Sequence, residues 1–74
     1  MFSMDKIGWY CREFRINTLN MSLTEFSKKN GLNLKNVHAF EYGRANNIRY
    51  LYAYYNSADE EQKREFAIGL FNLL

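Results

Sequence analysis

Proline is absent from these 74 residues. That favours uninterrupted helices, since proline removes a backbone donor and clashes with the preceding turn. Cysteine occurs once, at Cys11, which excludes an internal disulfide or a cysteine-built zinc site and suits a reducing cytoplasmic setting. Histidine also occurs once, at His38. No nucleophile or acid stands at a recognisable spacing from it, so no catalytic site, cofactor or metal is expected. No apolar run approaches the roughly 20 residues of a membrane span, and no secretory signal pattern is visible.

What the chain does have is apolar and aromatic material: 47% hydrophobic and 18% aromatic residues. Its length allows one domain, residues 1–74, with residues 1–3 set aside as a short arm or cloning remnant ahead of Met4. A chain this small buries only about 60% of its unfolded surface, so it needs a dense core or a partner. Net charge is +2, unevenly spread: residues 1–56 carry eight basic and four acidic side chains, a balance of +4, and residues 57–74 carry two and four, a balance of −2. A basic body with an acidic tail suits a weakly phosphate-facing surface.

Periodicity and capping residues predict five helices. The first spans residues 4–17, with Ile7, Tyr10, Cys11 and Phe14 on one stripe; Cys11 reads as a small core residue. Ser22 opens the second through a capping box with Glu25, Phe26 faces inward, and Asn30-Gly31 ends it. Asn33 caps the third, Val37 and Phe40 form its buried face, and Gly43 ends it. The fourth is expected over residues 48–55, although Tyr50, Tyr52 and Tyr54 also alternate like a strand. The fifth is expected over residues 57–73, opened by a box of Ser57 and Glu60. Its stripe of Phe66, Leu70, Leu73 and Leu74, widened by Ala67 and Phe71, is more apolar surface than a terminal helix usually buries; Phe66, Leu70, Phe71 and Leu73 are the expected homodimer contacts.

Residues 22–44, SLTEFSKKNGLNLKNVHAFEYGR, resemble the helix-turn-helix of the Cro and phage-repressor (XRE-type) family. Ser22 matches the opening Ser/Thr, Gly31 the turn glycine, Val37 and Phe40 the inward pair, and Glu41-Tyr42-Gly43-Arg44 the closing pattern. Ile7-Gly8 and Arg12-Glu13-Phe14-Arg15 look like that family's first helix. The resemblance implies an all-α, lambda-repressor-like five-helix bundle in which Arg15 and Glu41 form a structural ion pair. Within the family, the whole chain is similar to the modulator-of-repression (MOR) antirepressors of lactococcal temperate phages.

The departures from the family bear on function. Leu23 stands where glutamine is usual, and the base-reading positions hold Asn33, Leu34, Lys35, Asn36, His38 and Ala39, with neither arginine nor glutamine among them. Bidentate arginine or glutamine contacts carry about 1–3 kcal/mol of base discrimination each. Depletion of charge and gathering of apolar groups point instead to a protein contact. The expected activity is therefore that of a phage antirepressor: Leu23, Glu25 and the third-helix residues bind the DNA-binding domain of the phage repressor, with Glu13 and the Asp59–Glu61 acids pairing with its basic surface. The alternative is a Cro-like repressor in which Asn33, Lys35, Asn36 and His38 read operator bases and Lys28, Lys29, Arg44 and Arg49 contact phosphates. Either activity belongs in the cytoplasm of a bacterial host.

Overall fold

The computed structural model of the chain describes residues 4–73. Every regular element among them is helical: α1 (Met4–Glu13), a π-helical turn (Phe14–Thr18), α2 (Leu23–Lys29), α3 (Leu34–Glu41), α4 (Tyr50–Asn56) and α5 (Glu60–Phe71). The Cα radius of gyration is 11.2 Å, close to the roughly 11 Å of a folded chain this long. None of the described helices is long and apolar enough to cross a membrane. The short arm expected at residues 1–3, and Leu74 of the fifth stripe, lie outside the described residues.

The first segment differs from the expected uninterrupted helix. After Glu13 the spiral widens, and the Leu19 N–H donates to the Phe14 carbonyl five residues back at 2.9 Å. The wider turn carries Phe14 and Arg15 side by side into the interior, each at 6% exposure. This is a tertiary demand that local periodicity does not carry.

The capping expectations for α2 and α3 are met. Ser22 Oγ accepts the Glu25 N–H at 3.1 Å, and the Glu25 carboxylate accepts the Ser22 N–H at 3.2 Å. Asn33 Oδ1 accepts the Asn36 N–H at 3.2 Å. Gly31 and Gly43 stand just beyond the two helices at φ +64° and +74°, the left-handed region that glycine enters without a Cβ penalty. Two boundaries move. α4 begins at Tyr50, not residue 48, because the Asn47 side chain accepts the Arg49 N–H at 3.1 Å and prolongs the turn. α5 is capped by Asp59, not Ser57: the Asp59 carboxylate accepts the Gln62 N–H at 2.8 Å and Gln62 answers at 3.0 Å. Ser57 is engaged elsewhere, with the Asn30 side chain at 3.1 Å.

The core is aromatic. Phe14 and Phe66 meet at 4.6 Å between ring centroids, Phe26 stacks on Tyr54 at 4.4 Å, and Phe40 lies at 6.1 Å from Tyr54. Ile7, Cys11 and Val37 fill the space between, all fully buried. α1 and α3 pack closely at Gly8, where a Cβ would meet the Phe40 carbonyl and lie 2.8 Å from the Glu41 carbonyl. Ser27 is buried as well, at 4% exposure, and its hydroxyl has no partner; the small side chain is there for fit.

Within this core lies one polar cluster. Arg15 Nε and Nη2 donate to the two Glu41 carboxylate oxygens at 2.8 and 2.9 Å, and Nη1 donates to the Met21 carbonyl at 2.9 Å. The Tyr54 hydroxyl donates to Glu41 Oε2 at 2.7 Å. Sequence reasoning pairs Arg15 with Glu41 but does not find Tyr54. Burial first, then the hydrogen bond and charge of Glu41, push the Tyr54 phenol above its ordinary range. Burial, and secondarily Glu41, push the Cys11 thiol up. Both groups keep their protons in the folded protein at pH values where the unfolded chain releases them. Their contribution to stability is full below the unfolded pKa values, about 8.5 and 10, and declines as pH rises beyond them. Thermal melts followed by circular dichroism should therefore show a midpoint that drops steadily from about pH 9 to pH 11; a flat profile would contradict this.

Candidate functional site

α2 and α3 are held together from beneath by Phe26, Val37 and Phe40, none of which reaches solvent. Their outer surface is what remains for a partner. Leu34, at 40% exposure, opens α3 on this surface, and Lys35, Asn36 and His38 are exposed behind it. Two expected contact residues are withdrawn: Leu23 and Ala39 are only half-exposed, and Leu23 packs against the core. Two others are partly occupied. The Glu25 carboxylate is engaged with the Ser22 backbone and the Asn33 side-chain oxygen with that of Asn36, so each supports its own helix before it can serve a partner.

Sequence reasoning overlooked Tyr42. It follows His38 by one helical turn, and the two rings lie 4.6 Å apart. The Arg12 guanidinium sits over the other ring at 5.6 Å from the Tyr42 centroid, a cation–π distance. Tyr42 is nonetheless 50% exposed. The i, i+4 spacing of His38 and Tyr42 was the available signal. Leu34, His38 and Tyr42 follow one another at that spacing, and so form a single apolar and aromatic ridge along the outside of α3.

The expected phosphate contacts lie on α2 and beyond α3. Lys28 and Lys29 are exposed on α2 and, with Met21 and Glu25, line a shallow groove of about 370 Å³. Arg44 and Arg49 are exposed but belong to the segment after α3. The acids are placed differently. Glu13 is engaged by Asn17 at 3.1 Å and by Arg12 at 3.6 Å, and faces a groove shared with Trp9 and Glu65 of α5. The Asn30–Ser57 contact ties the end of α2 to the connection that leads into Asp59, Glu60 and Glu61; the Asp59 carboxylate caps α5, and Glu60 lies 3.6 Å from Lys63. Arg15 and Glu41 are interior and reach no partner.

Among the described residues no group of three or more His, Cys, Asp or Glu side chains converges as metal ligands would. No protein-family model matches the chain, and no curated protein or solved structure does.

Proposed function

We propose that the chain is a helix-turn-helix regulator of a phage lysis–lysogeny switch, with a lambda-repressor-like arrangement, that acts as an antirepressor in the bacterial cytoplasm. Its α2–α3 face binds the DNA-binding domain of the phage repressor and blocks or redirects operator binding. One observation carries this reading: the exposed ridge of α3 is Leu34, His38 and Tyr42, an apolar and aromatic row that offers a partner packing contact and no bidentate hydrogen bond to a base edge. Partly exposed aromatic and aliphatic side chains on a braced helix are what a protein partner covers at the centre of an interface. A repressor's DNA-reading surface is basic, since it binds phosphates. The exposed acids Asp59, Glu60 and Glu61 that open α5 supply its complement.

A direct test follows from the ridge. Leu34→Asp and Tyr42→Ala are both at exposed positions, so helicity should be retained. Each should weaken binding of the repressor's DNA-binding domain by about 30-fold, the loss that attends removal of an interface anchor worth about 2 kcal/mol. Titration calorimetry measures this; unchanged affinity in both variants would remove the ridge from the interface.

A second reading, direct operator binding in the manner of a Cro repressor, is favoured by a separate observation. Lys28, Lys29 and Lys35 are all exposed, while the single acid among them, Glu25, is committed to capping. In that case the chain alone would bind operator DNA with an affinity that falls steeply with salt.

A further inference from the structure

The fifth-helix residues expected to meet a second copy do not form one surface. Phe66 is core at 2% exposure, Leu70 and Leu73 are half-buried, and only Phe71 of the set stays exposed. Phe66 shapes something else from within. Its ring centroid lies 5.4 Å from that of Tyr10 and 4.6 Å from that of Phe14. Tyr10 and Phe14 in turn floor a groove of about 380 Å³ between α1 and α5, whose walls include Trp9, Glu13, Asn17 and Glu65.

The walls of this groove are tied at both ends. The Tyr10 hydroxyl donates to the Phe66 carbonyl at 2.8 Å, and the Gln62 side-chain amide donates to the Thr18 carbonyl at 3.2 Å. Gly69 admits the Tyr10 ring, since a Cβ there would meet the Tyr10 hydroxyl. The groove therefore exists before a partner arrives, and binding costs little reordering. Two features define what it can hold. Trp9, the single tryptophan of the chain, is 55% exposed, and an indole is the best aromatic face for a cation. The charged side chains among the described lining residues are Glu13 and Glu65, both acidic. Glu13 already meets Arg12 at 3.6 Å and Asn17 at 3.1 Å. Glu65 is exposed and joins no ion pair among the described residues.

We infer that this groove receives an arginine side chain from a protein partner, its guanidinium laid on the Trp9 indole and paired with Glu65. Arginine suits the site better than lysine. Its guanidinium is planar and weakly hydrated, stacks on aromatic rings and offers a fork to a carboxylate. An exposed tryptophan can also stack on a nucleic-acid base, but Glu13 and Glu65 repel the phosphates that come with one. A protein is selected over a free small cation by the openness of the site to water. An exposed ion pair contributes little alone, so the cation needs a larger body around it to exclude solvent. Tryptophan and arginine are the residues that most often anchor such interfaces. Glu13 was expected to face a basic partner; Trp9 and Glu65 make of that general attraction a site for one side chain. The inference uses other elements than α2 and α3, and is independent of whether that face meets DNA or a repressor.

Heteronuclear NMR of the full chain, titrated with an acetylated and amidated Ala-Ala-Arg-Ala-Ala peptide, tests it. The expected result is saturable movement of the Trp9 indole N–H and the Glu65 amide, with a Kd on the order of 1 mM, as a single side chain allows. The citrulline counterpart, neutral and of nearly the same shape, should move neither, and the lysine counterpart should bind more weakly than arginine. Glu65→Gln and Trp9→Ala stand at exposed positions; each should lower the affinity about fivefold with helical circular dichroism intact, the Glu65 amide reporting for Trp9→Ala. Should Trp9→Ala lose helicity, Glu65→Gln decides alone. No movement, equal movement with the arginine and citrulline peptides, movement confined to Asp59–Glu61, or a stronger response of Trp9 to a short single-stranded oligonucleotide would each overturn the proposal.

Discussion

Replacing Glu41 with alanine is expected to leave the chain largely unfolded at room temperature. Glu41 accepts two bonds from Arg15 and one from Tyr54. Its removal strands a guanidinium and a phenol inside an aromatic core. Removing one partner of a buried pair costs about 3–5 kcal/mol. A core of this size supplies no more than about that. The stranded charge makes the loss larger than the deleted contacts would suggest, and a second change separates the two effects. Replacing both members with apolar residues, Arg15→Met with Glu41→Leu, removes the charge as well as its partner and should recover much of the stability, because well-packed apolar replacements of buried pairs are often neutral or better. Urea titration of the single and double variants measures the coupling. If Glu41→Ala kept an unfolding free energy within about 1 kcal/mol of the parent, the cluster would not be a principal support of the fold.

Gly8→Ala is the second large effect. The added Cβ meets backbone, the Phe40 and Glu41 carbonyls, and not a side chain that can swing aside. α1 and α3 must separate to admit it, which opens the packing around Ile7 and Val37, both fully buried. Overpacking of this kind costs about 1–3 kcal/mol, at the upper end here because neither helix can yield locally. A helix-propensity argument gives the opposite sign, since alanine favours an isolated helix over glycine by about 1 kcal/mol. A thermal melt therefore decides between them: a lower midpoint in Gly8→Ala supports the close helix crossing, and a higher one would contradict it.

The elements that local chemistry controls were legible in the sequence. A side-chain oxygen three residues from a backbone donor is a capping signal that marks Ser22, Glu25 and Asn33, and the two turn glycines are marked by the left-handed conformation that a helix end takes. The same rule misplaced the start of α5, because Ser57-x-x-Glu60 and Asp59-x-x-Gln62 both satisfy it. Only the tertiary contact of Ser57 with Asn30 separates them. The π-helical turn and the third member of the buried cluster were not legible. Both follow from distant residues meeting: Phe14 against Phe66, and Tyr54 against Glu41. The candidate face was legible as a set of residues but not as a surface. Local pattern could not show that Leu23 turns towards the core, or that Tyr42 is braced between His38 and Arg12. Which sides of α4 and α5 stay outside was hidden for the same reason, since the burial of Tyr54 and Phe66 decides it.

The central claim is that α2–α3 meets another regulator before it meets DNA. An operator-retention assay near physiological salt tests it most directly, with the pure chain alone and with the chain added to the repressor–operator complex. The expected result is no retention by the chain alone, and release or altered mobility of the repressor-bound operator as the chain approaches stoichiometry with the repressor. Retention by the chain alone, weakening steeply with salt, together with an undisturbed repressor complex, would contradict it.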